Sequence, residues 1–228
     1  MRSRPIDRSG RRAVDGADLD VPPGALTAIV GASGAGKSTF LDVLTGIEPI
    51  RSGAVRIGEL VVNPASRRVR LRLRARTVAT ARQSEDLIDA LTAAENIALA
   101  QRLARRPDRA LLSATSRALH LDERLLATTT DKLSGGERRR VAVARAVASG
   151  SPVVCCDEPT AGLDAGTADA VRELLGAVAA SGRTVLVVTH DPALARMSER
   201  LAMFRDGTIS DVVENAAPLA VDRLMRGR

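Results

Sequence analysis

Apolar residues occur along the chain in short runs that end at glycines, at carboxylates or at a histidine. Three runs are long and β-branched enough to predict strands, at 26–30, 153–156 and 184–188. An alanine-rich stretch at 169–180, between the last two runs, has the pattern of a helix. Strands that are apolar throughout and separated by helices are typical of a mainly parallel sheet covered on both faces. The pattern therefore predicts an α/β core.

A long segment within that core has a helical character instead. From 87 to 148 the pattern is almost wholly helical, and Thr92 and Ser134 each precede a glutamate by three residues. This is the capping-box spacing with which helices begin. We expect one domain whose α/β core is interrupted by a helical subdomain. The expected bounds are 1–82 and 151–228 for the core, 83–150 for the helical subdomain and 1–228 for the whole domain.

Two further segments have a less definite pattern. Six arginines fall between 67 and 76, where the alternation at 70–74 suits a half-exposed strand, although a helix also fits. Contact with anionic lipid or with a partner is one interpretation of this charge run, but a solvated face is the favoured one. For 211–228 we expect one or more final helices without a chemical role.

Composition and charge narrow the class of protein. With 45% apolar residues the chain can bury a substantial core, while its longest apolar runs are far shorter than the roughly 20 residues that cross a bilayer. The basic start is not followed by the apolar segment of a secretory signal, so we expect a cytoplasmic protein. A formal net charge of +7 suggests an anionic neighbour, either the inner membrane face or nucleic acid. The only aromatic residues are Phe40 and Phe204, and this scarcity of stacking platforms argues against nucleic acid.

The only cysteines, Cys155 and Cys156, are neighbours inside the second apolar run. Adjacent strand residues point to opposite faces, and their spacing is not that of a disulfide or a metal site. We expect both to be small core residues.

A glycine-rich loop follows the first predicted strand and precedes a helical pattern. Residues 31–38 match G-x-x-x-x-G-K-[ST] in full. Glycines let backbone N–H groups converge on phosphate, Lys37 reaches the terminal phosphates and Ser38 offers a hydroxyl to Mg²⁺. The candidate nucleotide-binding residues of this loop are Gly31, Ala32, Ser33, Gly34, Ala35, Gly36, Lys37, Ser38 and Thr39.

Two adjacent carboxylates, Asp157 and Glu158, follow the second apolar strand. Parallel α/β sheets bind ligands outside the carboxyl ends of their strands, which is where these side chains would lie. Asp157 can hold the shell of a Mg²⁺ ion, and Glu158 can polarise an attacking water molecule.

A second phosphate-binding element is indicated by residues 133–137, which read Leu-Ser-Gly-Gly-Glu. Here the chain resembles the ABC ATPases, whose signature reads LSGGQ or LSGGE. Ser134 would cap a helix whose first N–H groups, bared by Gly135 and Gly136, form another anion site. A plain capping box is the alternative interpretation.

The resemblance to ABC ATPases covers nearly the whole chain. It implies a P-loop NTPase core with a mainly parallel sheet, an antiparallel β portion at the N-terminus and the helical insertion. It also implies ATP and Mg²⁺ as ligands. In the family the two phosphate-binding helix ends of one monomer lie too far apart to share a nucleotide. The resemblance therefore implies a head-to-tail dimer with a second ABC ATPase subunit, expected to be identical.

The same resemblance gives roles to single residues. Gln83 stands where the family has its glutamine loop, which senses Mg²⁺ and the attacking water. His190 matches the switch histidine that contacts the γ-phosphate, and residues 162–164 resemble the loop that communicates between the two sites. The implied metal ligands are Ser38, Gln83 and Asp157, and the implied catalytic residues are Glu158, His190 and Gln83.

At two positions the chain departs from the family. Where an aromatic residue usually stacks on adenine, about twenty residues before the glycine loop, this chain has Ser9 or Gly10. Arg82 replaces the aromatic residue that often precedes the loop glutamine. Neither departure changes the hydrolytic residues.

Within the family, the segments 91–97 and 187–192 look closest to the lipoprotein-release, macrolide-export and cell-division ATPases. We therefore expect a subunit that energises an integral membrane permease for export, extraction or transmembrane signalling, at the inner face of the membrane. A short coupling helix of the permease is expected to contact the helical insertion near residues 85–88. A soluble ABC ATPase that acts on nucleic acid or ribosomes is the first alternative, but such proteins usually carry coiled-coil insertions or a second cassette. The second alternative is a nucleotide-sensing module with little turnover, which the intact Lys37, Asp157, Glu158 and His190 argue against.

Overall fold

The strands of the protein form one large sheet and one hairpin in a computed structural model that describes residues 13–62, 67–82, 86–215 and 221. They are β1 Leu26–Val30, β2 Val55–Ile57, β3 Leu60–Val62, β4 Val78–Ala81, β5 Val153–Asp157, β6 Thr184–Val188, β7 Arg200–Arg205 and β8 Thr208–Glu214. The large sheet has the order β4-β5-β6-β1-β7-β8, and its neighbours are parallel except for the antiparallel β7–β8 pair. The hairpin is the antiparallel pair of β2 and β3. The predicted α/β fold with a mainly parallel sheet and an antiparallel portion is therefore confirmed.

Helices cover both faces of the large sheet. They are α1 Lys37–Leu44, α2 Arg67–Arg76, α3 Ala93–Ala104, α4 Arg109–Ala118, α5 Glu123–Ala127, α6 Gly135–Ala148, α7 Ala165–Ala180 and α8 Pro192–Met197, with a short 3-10 turn at Thr130–Lys132. The segment from α3 to α6 is consecutive and helical, as the sequence predicts. In the part of the chain that the structure describes, none of the helices combines the length and apolar character that crossing a bilayer requires.

Alternating strand residues divide the core into two layers. Ala28 and Cys156 belong to the layer under the helical segment and α7, whereas Ile29 and Cys155 belong to the layer under α1, α2 and the hairpin. Burial is complete or nearly so at all four positions. The two cysteines are thus free, buried and on opposite faces, as predicted.

Both predicted capping boxes are present. The Thr92 and Ser134 hydroxyls accept hydrogen bonds from the backbone N–H groups of Glu95 and Glu137, and each glutamate accepts one back from the backbone N–H of its cap. Each box satisfies two N–H donors at a helix start, which fixes where α3 and α6 begin.

The structure decides one open alternative and differs from one expectation. The arginine-rich segment, for which a strand and a helix both fit, is the helix α2, in which Leu73 is buried while the arginines around it are exposed or half-buried. The segment 211–214, expected to be helical, is part of strand β8, and of the rest of the tail only residues 215 and 221 are described.

Candidate functional site

The loop between β1 and α1 depends on two glycines. A Cβ on Gly31 would lie 2.1 Å from the carbonyl oxygen of Phe204, and a Cβ on Gly36 would lie 2.0 Å from that of Ala13. Their φ values of 154° and 105° are also in the region that favours glycine. The loop backbone therefore lies closer to neighbouring backbone than any side chain would allow.

Helix α1 begins directly after this loop with an uncapped N-terminus. Its cap residue is Gly36, and no side chain bonds to the helix start. The first N–H groups of a helix have no partner within the helix, and together with the helix dipole they attract an anion. The predicted phosphate loop, 31–39, thus leads to a helix end that suits phosphate.

Lys37 connects the loop to His190, the predicted switch histidine. Its Nζ donates hydrogen bonds to the carbonyl oxygens of Gly31 at 2.8 Å and Ala32 at 2.9 Å, and lies 3.3 Å from Nε2 of His190. Burial lowers the pKa of Lys37, while the charges of Glu158 and Asp157 raise it in part. The sequence did not predict the contact between Lys37 and His190.

The carboxylates at the end of β5 lie beside this lysine and histidine. Oε2 of Glu158 accepts a hydrogen bond from the backbone N–H of His190 at 3.1 Å, and Oε1 lies 3.6 Å from His190 Nε2. The side chain of Ser38 donates a hydrogen bond to the carboxylate of Asp157. Burial raises the pKa of both carboxyl groups, against the opposing effects of these hydrogen bonds. The structure thus brings Lys37, Ser38, Asp157, Glu158 and His190 together.

Two oxygens of the carboxylate pair lack a hydrogen bond within the described residues. They are Oδ1 of Asp157 and Oε1 of Glu158, both buried. A buried acceptor without a partner carries a desolvation cost unless a ligand, ion or water satisfies it. For Asp157, next to the Ser38 hydroxyl, the oxygen donors suit the hard cation Mg²⁺.

Arg139, on α6, contacts the same carboxylate strand and was missed by the sequence reasoning. Its Nη1 donates to the backbone carbonyl oxygen of Glu158 at 2.6 Å, and its charge also lowers the pKa of Asp157, as a minor cause. The sequence does not distinguish Arg139 from its neighbours in the run of three arginines at 138–140, because only the packing of α6 against β5 decides which of them faces Glu158.

The signature residues stand at the start of α6. A Cβ on Gly135 would meet nothing within 4 Å, and one on Gly136 would meet only Leu163 Cδ2, at 3.4 Å. The helix start is therefore open apart from the capping box of Ser134. No hydrogen bond or ion pair of the described residues joins 134–136 to the loop 31–39, so the two predicted anion sites stand at separate helix ends.

Gln83 lies outside the described residues, as do Ser9 and Gly10 at the position expected for adenine stacking. Next to Gln83, the guanidinium of Arg82 forms ion pairs with Asp42 of α1 at 3.0 Å and with Asp86 at 3.2 Å. The residue that replaces the family's aromatic side chain thus ties the start of this segment to the helix of the phosphate loop.

Comparisons with known proteins agree with this geometry. The family model described as "ABC transporter" matches residues 14–161. A lipoprotein-releasing system ATP-binding protein, LolD 1 of Rhodospirillum rubrum, is 39% identical over 85% of this chain and 87% of its own length. The macrolide export ATP-binding/permease protein MacB of Shigella sonnei is 34% identical over 98% of this chain. The match covers only 34% of the length of that protein.

An uncharacterized ABC transporter ATP-binding protein of Mycobacterium tuberculosis is 36% identical over 89% of this chain and 83% of its own length. Among solved structures, the dimeric ATP-binding cassette MJ0796, in a post-hydrolysis state with ADP and Pi, matches with a TM-score of 0.84 and 30% identity. That match covers 91% of this chain and 92% of the other.

Proposed function

The chain belongs to the ABC transporter family and is an ABC ATPase, and from that premise we propose that it is the subunit that hydrolyses ATP to drive a separate membrane permease. The observation that carries the proposal is the convergence of a phosphate loop, a buried lysine, two carboxylates and a histidine at the carboxyl ends of β1, β5 and β6. These are the parts that phosphoryl transfer to water requires.

In the proposed mechanism, Lys37 and the N-terminus of α1 bind the terminal phosphates, together with the backbone of 31–39. Glu158 orients and polarises the attacking water. His190 fixes Glu158 through its backbone N–H at 3.1 Å and offers its ring to the γ-phosphate. Each of these groups acts by positioning and by charge, which is how most of the rate of phosphoryl transfer arises.

Ser38 and Asp157 are the residues that would hold Mg²⁺, with Gln83 as a third ligand implied by family resemblance. Their hydroxyl, carboxylate and amide oxygens are the donors that this ion takes in nucleotide sites. When bound, the ion neutralises charge on the phosphates of ATP.

The second anion site, at Ser134, Gly135 and Gly136, is proposed to bind the ATP held by another subunit. A solved relative in the same family is described as dimeric. In such an arrangement each nucleotide lies between the phosphate loop of one subunit and the signature helix of the other, and hydrolysis releases the pair.

The partner that uses this cycle is proposed to be an integral membrane permease in an export, extraction or signalling system. Support comes from the relatives named for lipoprotein release and macrolide export, the latter of which carries ATPase and permease in one chain. We place the contact near residues 85–88, at the start of the proposed helical subdomain 83–150, and the ATPase at the inner face of the membrane.

The catalytic assignment is tested by replacing Glu158 with Gln. We expect phosphate release by the purified chain to fall by about a hundredfold or more, since the general base is lost, while Mg-ATP now holds the chain as a dimer in size-exclusion chromatography. Glu173→Gln, an exposed carboxylate on α7, is the control and should behave like the original chain. Equal phosphate release by the Glu158→Gln variant and the original chain would refute the assignment.

The permease is tested by tagging the Glu158→Gln chain, trapping it with Mg-ATP in its native cell and purifying it from gently solubilised membranes. We expect an integral membrane protein in stoichiometric amount. Recovery of only soluble proteins or nucleic acid would overturn the transporter proposal and leave the ATPase assignment intact.

A further inference from the structure

Helix α2 carries a cationic surface that the ATPase chemistry does not use. Its ten residues contain six arginines and no acidic residue. Leu73 is its one fully buried side chain and packs in the core layer under α1. Five of the arginines are exposed, and Arg70 is half-buried. The outward side of the helix is called the α2 surface below, and its residues are Arg67, Arg68, Leu71, Arg72 and Arg74.

The charge of the α2 surface is not neutralised by the described part of the chain. None of its arginines has an ion pair or hydrogen bond to a carboxylate there, whereas Arg82, Arg172 and Arg200 each do. Among the residues that the structure describes, four guanidinium groups within about two helical turns therefore have no carboxylate partner.

This arrangement is unfavourable for the helix itself. Arg67 and Arg68 stand in the first turn, where the helix dipole disfavours cations, and Arg68 and Arg72 form a repulsive i,i+4 pair. Local repulsion without a compensating contact in the fold is typical of a surface with a functional role. Because the described residues supply no counter-charge, an anion from outside them would relieve this repulsion.

The distribution of the side chains favours a membrane over a single small ligand. Leu71 is 53% exposed, and in helical projection it lies between Arg67 and Arg68, with Arg74 and Arg72 on either side. The guanidinium groups thus spread over a broad face instead of converging on one point. A leucine surrounded by arginines can enter the boundary of the acyl chains while the arginines extend to lipid phosphates.

The β2–β3 hairpin, packed beside α2, also exposes an apolar side chain next to an arginine. Strand β3 exposes 41% of Val61, and the exposed Arg56 lies directly opposite it on β2.

We propose that the α2 surface binds the anionic phospholipid headgroups of a membrane. This contact needs neither nucleotide nor permease, so it holds the ATPase near the membrane independently of its catalytic cycle.

The test uses the full chain without nucleotide and vesicles of either phosphatidylcholine alone or equal parts phosphatidylcholine and phosphatidylglycerol. We expect the chain to cosediment with the mixed vesicles only, and less so as salt is raised, because screening weakens the attraction. The triple variant Arg67→Gln, Arg68→Gln and Arg72→Gln should bind at least about tenfold more weakly, since each arginine near an anionic surface contributes about fivefold. Leu71→Ser should weaken binding by a smaller factor.

The matched control is a triple variant with the same change of charge at exposed arginines of α3, α4 and α5, namely Arg102→Gln, Arg109→Gln and Arg124→Gln. It should keep vesicle binding. The α2 variant should keep its ATPase rate and melt no lower than the original chain, because it loses repulsion and no contact.

Three results would overturn the proposal. The first is equal binding to both kinds of vesicle, and the second is an equal loss of binding in the two triple variants. The third is an α2 variant that keeps vesicle binding but loses a copurifying acidic protein, which would make the surface a protein-docking site. If the catalytic role of Glu158 were refuted, the expected vesicle binding would be unchanged. Each proposal can therefore be refuted without the other.

Discussion

Glu158 is the residue at which several elements of the fold meet. Its φ is 50°, a left-handed conformation that costs a residue other than glycine about 1 to 3 kcal/mol. Its backbone N–H donates to the carbonyl oxygen of Val188, its side chain accepts from His190, and its carbonyl accepts from Arg139. The unusual conformation therefore persists because β6 and α6 both hold it.

Arg139 is expected to act as a positioning residue for Glu158. Arg139→Gln should lower kcat for ATP about tenfold, the effect of one charged hydrogen bond of about 1.5 kcal/mol, with little change in KM. Arg139→Lys should retain more of the rate than Arg139→Gln. Steady-state phosphate release measures both.

The control for that experiment is the neighbouring Arg140, whose Nη1 donates to the carbonyl oxygens of Leu119 and His120, away from the carboxylates. Arg140→Gln should lower the melting temperature and leave kcat nearly unchanged. An unchanged kcat in Arg139→Gln would contradict the positioning role.

The phosphate loop offers a second comparison between two glycines. Gly36→Ala should lower the free energy of unfolding by about 3 kcal/mol, because the new methyl group would lie 2.0 Å from the Ala13 carbonyl oxygen. Gly34→Ala should lower it by only about 1 kcal/mol, since Gly34 has a positive φ of 78° but open space around it. Chemical denaturation of both variants checks the difference, and equal losses would show that backbone strain alone decides.

Residue types and spacing were enough to select most of the side chains that gather at the site. Lys37, Asp157, Glu158 and His190 were all chosen from the sequence, and they lie in contact, although their roles stay predictions. Arg139 was not chosen, because nothing in a run of three arginines says which one points at the carboxylate strand. Such a contact is decided by packing between elements distant in sequence.

At the scale of elements, helix starts were predicted well and one of the sheet edges was not. The capping boxes at α3 and α6 are local signals, and both are present. Strand β8 was expected to be helical at 211–214, although Asp206 and Gly207, both at positive φ, form the Asp-Gly turn typical of a hairpin between β7 and β8. The alternating arginines of α2 fit a strand as well as a helix, because the helix buries only one side chain fully.

Both capping boxes are expected to contribute to stability, but only the one at Ser134 is expected to affect the ATPase rate. Thr92→Ala should lower the free energy of unfolding by about 1 kcal/mol and leave the ATPase rate unchanged, since the Thr92 side chain bonds only within its own capping box among the described residues. Ser134→Ala should cost similar stability but also lower the rate, because it belongs to the proposed second anion site. A rate loss in Thr92→Ala matching that of Ser134→Ala would contradict the special role of α6.

Acid should weaken the capping box of Thr92 as Glu95 becomes protonated. Hydrogen bonds from the backbone and side chain of Thr92 hold the pKa of Glu95 below its ordinary 4.5. The stabilisation from ionised Glu95 is therefore fully present above that pH and is lost as the pH falls through the lower folded-state pKa. Glu95→Gln should remove this part of the acid sensitivity in pH-dependent unfolding.

At the scale of the whole molecule, the chain has two helix ends proposed to bind anions, and no hydrogen bond of the described residues connects them. One is at α1 and the other at α6. In the proposed head-to-tail pair, each nucleotide would be bound by the α1 end of one subunit and the α6 end of the other.

Mixing two inactive variants tests that arrangement. Lys37→Ala removes the phosphate-loop cation, and Ser134→Arg blocks the signature end, so each variant alone should release little phosphate. A mixture can form pairs in which one of the two composite sites keeps both Lys37 and Ser134. We expect the mixture to recover a clear part of the original rate, and no recovery above the separate variants would contradict the shared site.

The two adjacent cysteines of β5 can report unfolding, because both are free and buried in the folded chain. Burial raises the pKa of Cys155 to about 12 and the pKa of Cys156 further, so both thiols are protonated and shielded in the folded chain. A thiol reagent should therefore label the native protein extremely slowly and react with two groups once β5 is exposed. A single cysteine introduced on the surface, such as Leu71→Cys, can then carry a fluorophore without removing either natural cysteine.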